Sequence, residues 1–414
     1  MIDADDTALL GSEHKRGSPR MPHQSRIWSL TVITVKGVAL ALLGAASGMP
    51  ASAAEEFPTP LPNDSDLKVN TLPAQYPKGW AFLAYANDKF EIRDVGSDAR
   101  AVEGQLPGFE SATLLVGSRR PELYVADTVW ARGNHGTRTD FITIYDKRTL
   151  TPSGEVVLPG TKRALVVPMQ GMFAFADEER LALVFNFTPA MSVTVVDLEQ
   201  RKVLSEVETP GCSLVYPTGR RGFSSLCASG TLLSVQLDAQ GRVASRHESA
   251  VFNKLDTDPL LTTSAEVNGV NYFPSLLGRI QPIDLRGEEP KILPDWPLVP
   301  PSEAAENWRP SGLQQITGSD DGHLYVLMQR DAHEGTHKDP GNEVWVYDPQ
   351  THARLERLRL VRPGTSIEVT HEQEPNLLVA ATDQLDVYSL PHGALVRSLD
   401  AAARRGGMLI EAVK

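Results

Sequence analysis

The string His333-Glu334-Gly335-Thr336-His337 has the residue types of a zinc hydrolase site. That chemistry needs both imidazoles on one helical face, four residues apart, with the glutamate beside a metal-bound water. Here Gly335 interrupts the string, and Lys338-Asp339-Pro340-Gly341 follows it between two strand-like segments. Glycine and proline both oppose a helix. The string therefore reads as an inter-strand loop, and no zinc is expected at His333 and His337. A second candidate, Arg132-Gly-Asn-His-Gly136-Thr-Arg138-Thr-Asp140, places two arginines and two glycines where an anion could be cradled. A strand follows it rather than a helix, so no helix dipole assists, and a solvated hairpin tip is the better reading. The chain contains no Gly-x-Ser-x-Gly elbow and no Walker loop, and its carboxylates pair in no glycosidase-like context. The residues alone show no catalytic machinery.

Two cysteines occur, Cys212 and Cys227, on either side of a strand-turn segment. In an oxidising compartment such a pair reads as one disulfide, with two free buried thiols as the alternative. A single pair cannot build a zinc ribbon or an iron–sulfur site.

The compartment follows from the leader. Arg26 and Lys36 precede the apolar run Gly37–Met49, which ends in Ala51-Ser52-Ala53, the small-x-small pattern that a signal peptidase cuts. Residues 1–53 are read as a leader and signal peptide, with Met21 a possible start, and an uncleaved membrane anchor is the alternative. No cysteine follows the cut, so a lipoprotein is not expected. The mature chain is expected to work outside the cytoplasm, with no membrane span after processing. The 414 residues carry 40 Lys and Arg against 52 Asp and Glu, a net charge of −12. Nucleic acids and anionic membranes both need a cationic face, so neither is an expected partner.

The elements that must position any site are strands. A short strand-like segment closing on a turn residue, alternating apolar and polar in most cases, recurs at Phe90–Asp94, Ile142–Asp146, Val193–Asp197, Leu233–Asp238, Ile280–Asp284, Val344–Asp348 and Leu385–Ser389. The closing residues lie 41 to 64 residues apart, and several units resume as a second strand. That period, with four short strands in each unit, is what propeller blades require. No long amphipathic helix interrupts it; the best helical fragment is Ser302–Asn307. The fold class expected is all-β, a seven-bladed β-propeller over residues 80–414, after an N-terminal extension at 54–79.

Several stretches then resemble a family. Gly136-Thr-Arg138-Thr-Asp140 running into Ile142–Asp146, Thr188-Pro189-Ala190 before Val193–Asp197, Asn307-Trp308-Arg-Pro310-Ser-Gly312, and Glu334–Lys338 before Glu343–Asp348 are similar to the heavy subunit of the quinoprotein amine dehydrogenases. The likeness is greatest to the aromatic (aralkyl) amine dehydrogenase heavy chain, and Cys212 and Cys227 fall where that family has its heavy-chain disulfide. The resemblance implies a periplasmic complex of two heavy and two small, Cys-rich light chains. The light chain would carry tryptophan tryptophylquinone, oxidise the amine and pass electrons to a blue copper protein or a cytochrome. This chain would hold no cofactor or metal and would act as scaffold. The segment Trp80–Phe90 is shorter than the family's, so no substrate-channel residue is carried over there. Loops Arg132–Asp140 and Asn307–Gly312 would gather near the propeller axis, where the partner docks. Trp130, Arg132, Arg138 and Trp308 are the candidate anchors, and packing of the two tryptophans between blades is the alternative. The competing function is a stand-alone periplasmic binding propeller, which fold alone does not exclude.

Overall fold

Along the strand Arg138–Asp146, Ile142 and Ile144 are fully buried while Phe141 and Thr143 are half-exposed, as alternation dictates. Other strands of the same rank, such as Ser192–Asp197, are buried at every position because a neighbouring blade covers each face. The computed structural model describes residues 71–85, 89–97, 102–109, 111–401 and 408–414. The leader, its cleavage site and Met21 lie outside the described residues.

Seven antiparallel sheets succeed one another along the chain as the blades of a β-propeller. The seven recurring segments of the sequence are the third strands of the seven blades, counted outward from the axis. In order they are Lys89–Asp94, Arg138–Asp146, Ser192–Asp197, Leu232–Leu237, Arg279–Asp284, Gly341–Asp348 and Gln384–Ser389. They were legible because the third strand lies between two partners and needs apolar side chains on both faces. Blade 1 closes the ring: Met408–Ala412 is its innermost strand and pairs with Trp80–Tyr85 from the other end of the chain. Leu72 and Tyr76, just ahead of the first strand, pack into the core of that blade. Helix is confined, among the described residues, to three short 3₁₀ turns, one of them at Pro301–Glu306.

The core lies between blades rather than within them. One buried cluster joins Leu183 and Val195 of blade 3, Phe223 and Val235 of blade 4, and Phe273 and Ile283 of blade 5. Burying each such side chain stabilises by roughly 1.5–3 kcal/mol, so each blade depends on its neighbours.

Cys212 opens the innermost strand of blade 4 and stands in register with Cys227 at the end of the next strand. The two are joined by a disulfide closing a separation of 15 residues. Thiol titration of the unreduced, denatured protein is expected to find no free cysteine. Reduction is expected to cost about 3 kcal/mol of stability in the chain-entropy account of such a loop. Two titrated thiols, or no stability change on reduction, would overturn this.

Candidate functional site

Because successive strands run antiparallel, the chain meets the two faces of the ring by different connections. One face carries the links between blades and the loops joining second to third strands; the other carries the remaining turns. The two faces differ in chemistry. Eight of the thirteen large apolar side chains left exposed among the described residues lie on the first face; the other five are on outermost strands. The first-face set includes Phe109, Val167, Met169, Phe187, Val251 and Leu277, with Phe187 49 % and Val251 70 % exposed. The opposite face is built from ion pairs, such as Arg180 and Arg220 donating to the Asp177 carboxylate at 2.8 and 3.0 Å. Exposed apolar residues gathered on one face mark an interaction surface.

The structure places the candidate anchors on this first face but in different states. Trp130 ends the second strand of blade 2, half-buried, and Arg132 sits on the exposed hairpin tip beyond it. Arg138 is committed: Nε and Nη2 donate to the two oxygens of Asp140 at 2.8 and 2.9 Å, and Nη2 also reaches the Arg163 carbonyl at 2.6 Å. The Arg132–Asp140 segment is therefore a hairpin whose second arginine serves an internal carboxylate. Trp308 is buried in blade 6, its ring 5.1 Å from that of Trp345, its Nε1 donating to Glu306. The guanidinium of Arg357 lies 4.8 Å from the Trp308 ring and 4.9 Å from that of Trp345. Nearby, Gly312 has φ of +99°, and a Cβ there would collide with the Thr365 carbonyl, so this loop accepts glycine alone. His333 and His337 lie on a loop of the same face whose only regular turn is 3₁₀, Thr336–Lys338. The helical face a zinc hydrolase needs is not formed there.

Beneath the hairpin lies a buried charge network that the sequence did not reveal. Asp140, 1 % exposed, accepts from Thr128 Oγ1 at 2.8 Å and from the Arg163 amide at 2.9 Å. Arg163 is 2 % exposed and donates to Thr128 Oγ1 and to the Ser111 carbonyl. Burial pushes its guanidinium down to about 10, against the pull of Asp127 and Asp140. These contacts tie the hairpin to the blade 1–2 and blade 2–3 links, fixing three loops of the apolar face together.

A cavity of about 290 Å³ is lined by the innermost strands of every blade but the fourth, by Phe82, Ala84 and Phe90 of the next two strands of blade 1, and by Pro168 and Met169 from the apolar face. Its polar wall comes from blades 5, 6, 7 and 1. Glu368 accepts from Gln314 Nε2 at 2.7 Å and from Thr317 Oγ1 at 2.8 Å. Gln314 also exchanges hydrogen bonds with the Ile410 backbone at 3.0 and 2.9 Å, so it stitches three blades at the axis. Glu411 lines the same space, where the Glu368 carboxylate raises its proton affinity and the Lys414 ammonium lowers that of both. Burial is the main cause pushing both up to about 7, because each sits deep in the ring even though it faces the cavity. Sequence reasoning missed these residues. A glutamate between the fully buried Ile367 and Val369 was the available signal, since alternation turns it to the opposite face of the strand.

The fold defines a class, the seven-bladed β-propellers, and this one exposes apolar side chains on one face. Within it the relationship is specific: the family model for methylamine dehydrogenase heavy chain matches residues 79–408, and the chain belongs to that family. The methylamine dehydrogenase heavy chain of Methylorubrum extorquens is 27% identical over 71% of this chain and 72% of its own. That of Paracoccus versutus is 31% identical over 67% of this chain and 66% of its own. Among solved structures, a dihydro-heme d1 dehydrogenase superposes with a TM-score of 0.50 at 17% identity, covering 81% of this chain and 67% of its own. A functionally unknown protein from Desulfotomaculum acetoxidans gives 0.53 at 12% identity over 80% of this chain and 98% of its own. Likeness at that identity shows the propeller fold alone.

Proposed function

We propose that the chain is the heavy, scaffold subunit of a periplasmic amine dehydrogenase that oxidatively deaminates primary amines. The quinone, tryptophan tryptophylquinone, would belong to a separate light chain in a complex of two heavy and two light chains. That quinone is made from two tryptophans, and the tryptophans described here do not fit the role. The closely packed pair, Trp308 and Trp345, donates to Glu306 and Glu343 and is capped by Arg354 and Arg357. Their indoles are held in the core of blade 6 and serve its packing. No step of the chemistry is assigned to this chain.

The observation that carries the reading is the apolar face joined to membership of the heavy-chain family. A face that leaves eight large apolar side chains exposed suits a permanent small partner, and Trp130 and Arg132 lie on it as contacts for that partner. Trp308 and Arg138 would act behind the surface by holding its loops. The relatives reported are named for methylamine, and the aralkyl preference rests on the sequence resemblance alone. Electrons would leave the complex through a blue copper protein or a cytochrome.

The test is co-expression with a small, Cys-rich exported protein encoded beside this chain, together with the maturation machinery. The pair is expected to co-purify and to reduce a dye when given a primary amine, with methylamine and an aralkyl amine compared directly. The chain alone is expected to oxidise neither. A chain that stays monomeric beside every such partner would instead support a stand-alone binding propeller.

A further inference from the structure

The strand that closes the ring is held differently on its two edges. One edge of Met408–Ala412 pairs with Trp80–Tyr85 of its own blade. On the other edge a single side chain stands where a neighbouring strand would. Gln314 Oε1 accepts from the Ile410 amide, and Gln314 Nε2 donates to the Ile410 carbonyl. The same Nε2 donates to Glu368 of blade 7, whose other oxygen accepts from Thr317. The grip on the closing strand is therefore continuous with a carboxyl group whose two donors are both neutral.

Charge around that carboxyl is out of balance. Glu266, Glu368 and Glu411 line the cavity against one ammonium, that of Lys414. The rest of the wall includes Phe82, Phe90, Leu114, Phe173 and Ile316, so repulsion there is screened less than at the surface. His371 turns Nδ1 to Asp320 Oδ1 at 2.8 Å, and Lys78 lies 4.0 Å from the same aspartate. Glu372, next along the chain, is held by Thr370 and Asn376. The innermost strands Thr113–Val116, Phe173–Ala176, Cys212–Thr218 and Ile316–Gly318 carry no charged residue. Neither do the second strands Trp80–Tyr85, Leu324–Gln329 and Asn376–Ala380.

We propose that the seam between blades 7 and 1 is a proton-operated latch: a proton on Glu368 tightens the hold on the closing strand, its loss loosens that hold, and Glu411 is a weaker second seat. Protonated, Glu368 keeps both neighbours, because the Thr317 hydroxyl can turn to accept while the second carboxyl oxygen still accepts from Gln314. Ionised, Glu368 and Glu411 repel each other across the seam, one on each blade, with one ammonium between them and Glu266. Burial pushes both carboxyls up to about 7, from about 4.3 in an unfolded chain. A raised value gives stability that is full below about 4.3 and lost as pH rises through about 7. The latch is closed in mildly acid solution and loosened in alkaline solution. Glu411 is the more open to the cavity, which makes Glu368 the main seat. The inference does not depend on the amine dehydrogenase reading.

Amide hydrogen exchange of the purified full chain at pH 6 and pH 8.5, corrected for the intrinsic effect of pH on exchange, tests this. Protection of Met408–Ala412 is expected to be at least tenfold lower at pH 8.5, while Ser192–Asp197 of blade 3 keeps its protection. Glu368→Gln holds the side chain neutral, so its closing strand should keep the pH 6 protection at both pH values. Glu411→Gln should reduce the loss by at least half, and Glu356→Gln on the outer surface should leave it as in the parent. In urea, the parent's unfolding midpoint should fall between pH 6 and pH 8.5, and that of Glu368→Gln should fall less. Equal protection at the two pH values, an equal loss in every blade, or a loss unchanged in Glu368→Gln would each overturn the proposal. Were Glu368→Gln not to fold, Glu411→Gln decides, and an undiminished loss there overturns it.

Discussion

Val167→Asp combined with Phe187→Asp is expected to abolish capture of the light chain while leaving the propeller folded. Both side chains are about half exposed, on the blade 2–3 link and on the loop joining the second and third strands of blade 3. Neither contributes much to the core, so thermal stability should change by no more than about 0.5 kcal/mol, as for other surface sites. At a packed interface each would place an unpaired carboxylate against apolar surface, costing roughly 2–5 kcal/mol of association. Together they should weaken binding by about a thousandfold or more. Co-purification and dye reduction by the co-expressed complex measure this. Unchanged co-purification would place the partner elsewhere, and Val157→Asp, on an outermost strand, is the control expected to have no effect.

The second large effect is on stability. Asp140→Ala is expected to destabilise the propeller by about 1–3 kcal/mol, because it removes the buried acceptor of Thr128 Oγ1 and of the Arg163 amide. Arg138 loses its bidentate partner in the same step. Urea unfolding should show a lower midpoint with an unchanged slope. Glu155→Ala, exposed on the neighbouring strand, should move the midpoint by little. The same variant should bind the light chain more weakly, since the network holds three loops of the docking face. A stability equal to that of the parent would show that the network is replaceable.

The periodic part of the fold was legible because it follows from local pattern. The seven third strands announced themselves by a closing turn and, in most of them, by alternation. Innermost strands did not. Thr113–Val116 and Ala265–Val267 are too short to carry a period, and their place at the axis comes from ring geometry. The pair Cys212 and Cys227 was readable from spacing and compartment. Trp308 was read as a candidate anchor with burial as the alternative, since its type could not say whether it faces a partner or the core; it is buried against the Trp345 ring and the Arg357 guanidinium.

The sequence by itself determined the all-β architecture, the number of blades, the cysteine pairing and the loop nature of the His333–His337 string, because each depends on residues close along the chain. Tertiary structure alone decided which loops share a face, and so that Phe109, Val167, Phe187 and Val251 are all exposed on the same side of the ring. It also decided that Glu368 and Glu411, from blades 7 and 1, meet in one cavity with Gln314 of blade 6. Such meetings come from closing a ring, which joins Trp80–Tyr85 to Met408–Ala412 across more than three hundred residues. No local pattern records a contact of that separation, since it is fixed by the packing of every blade between them.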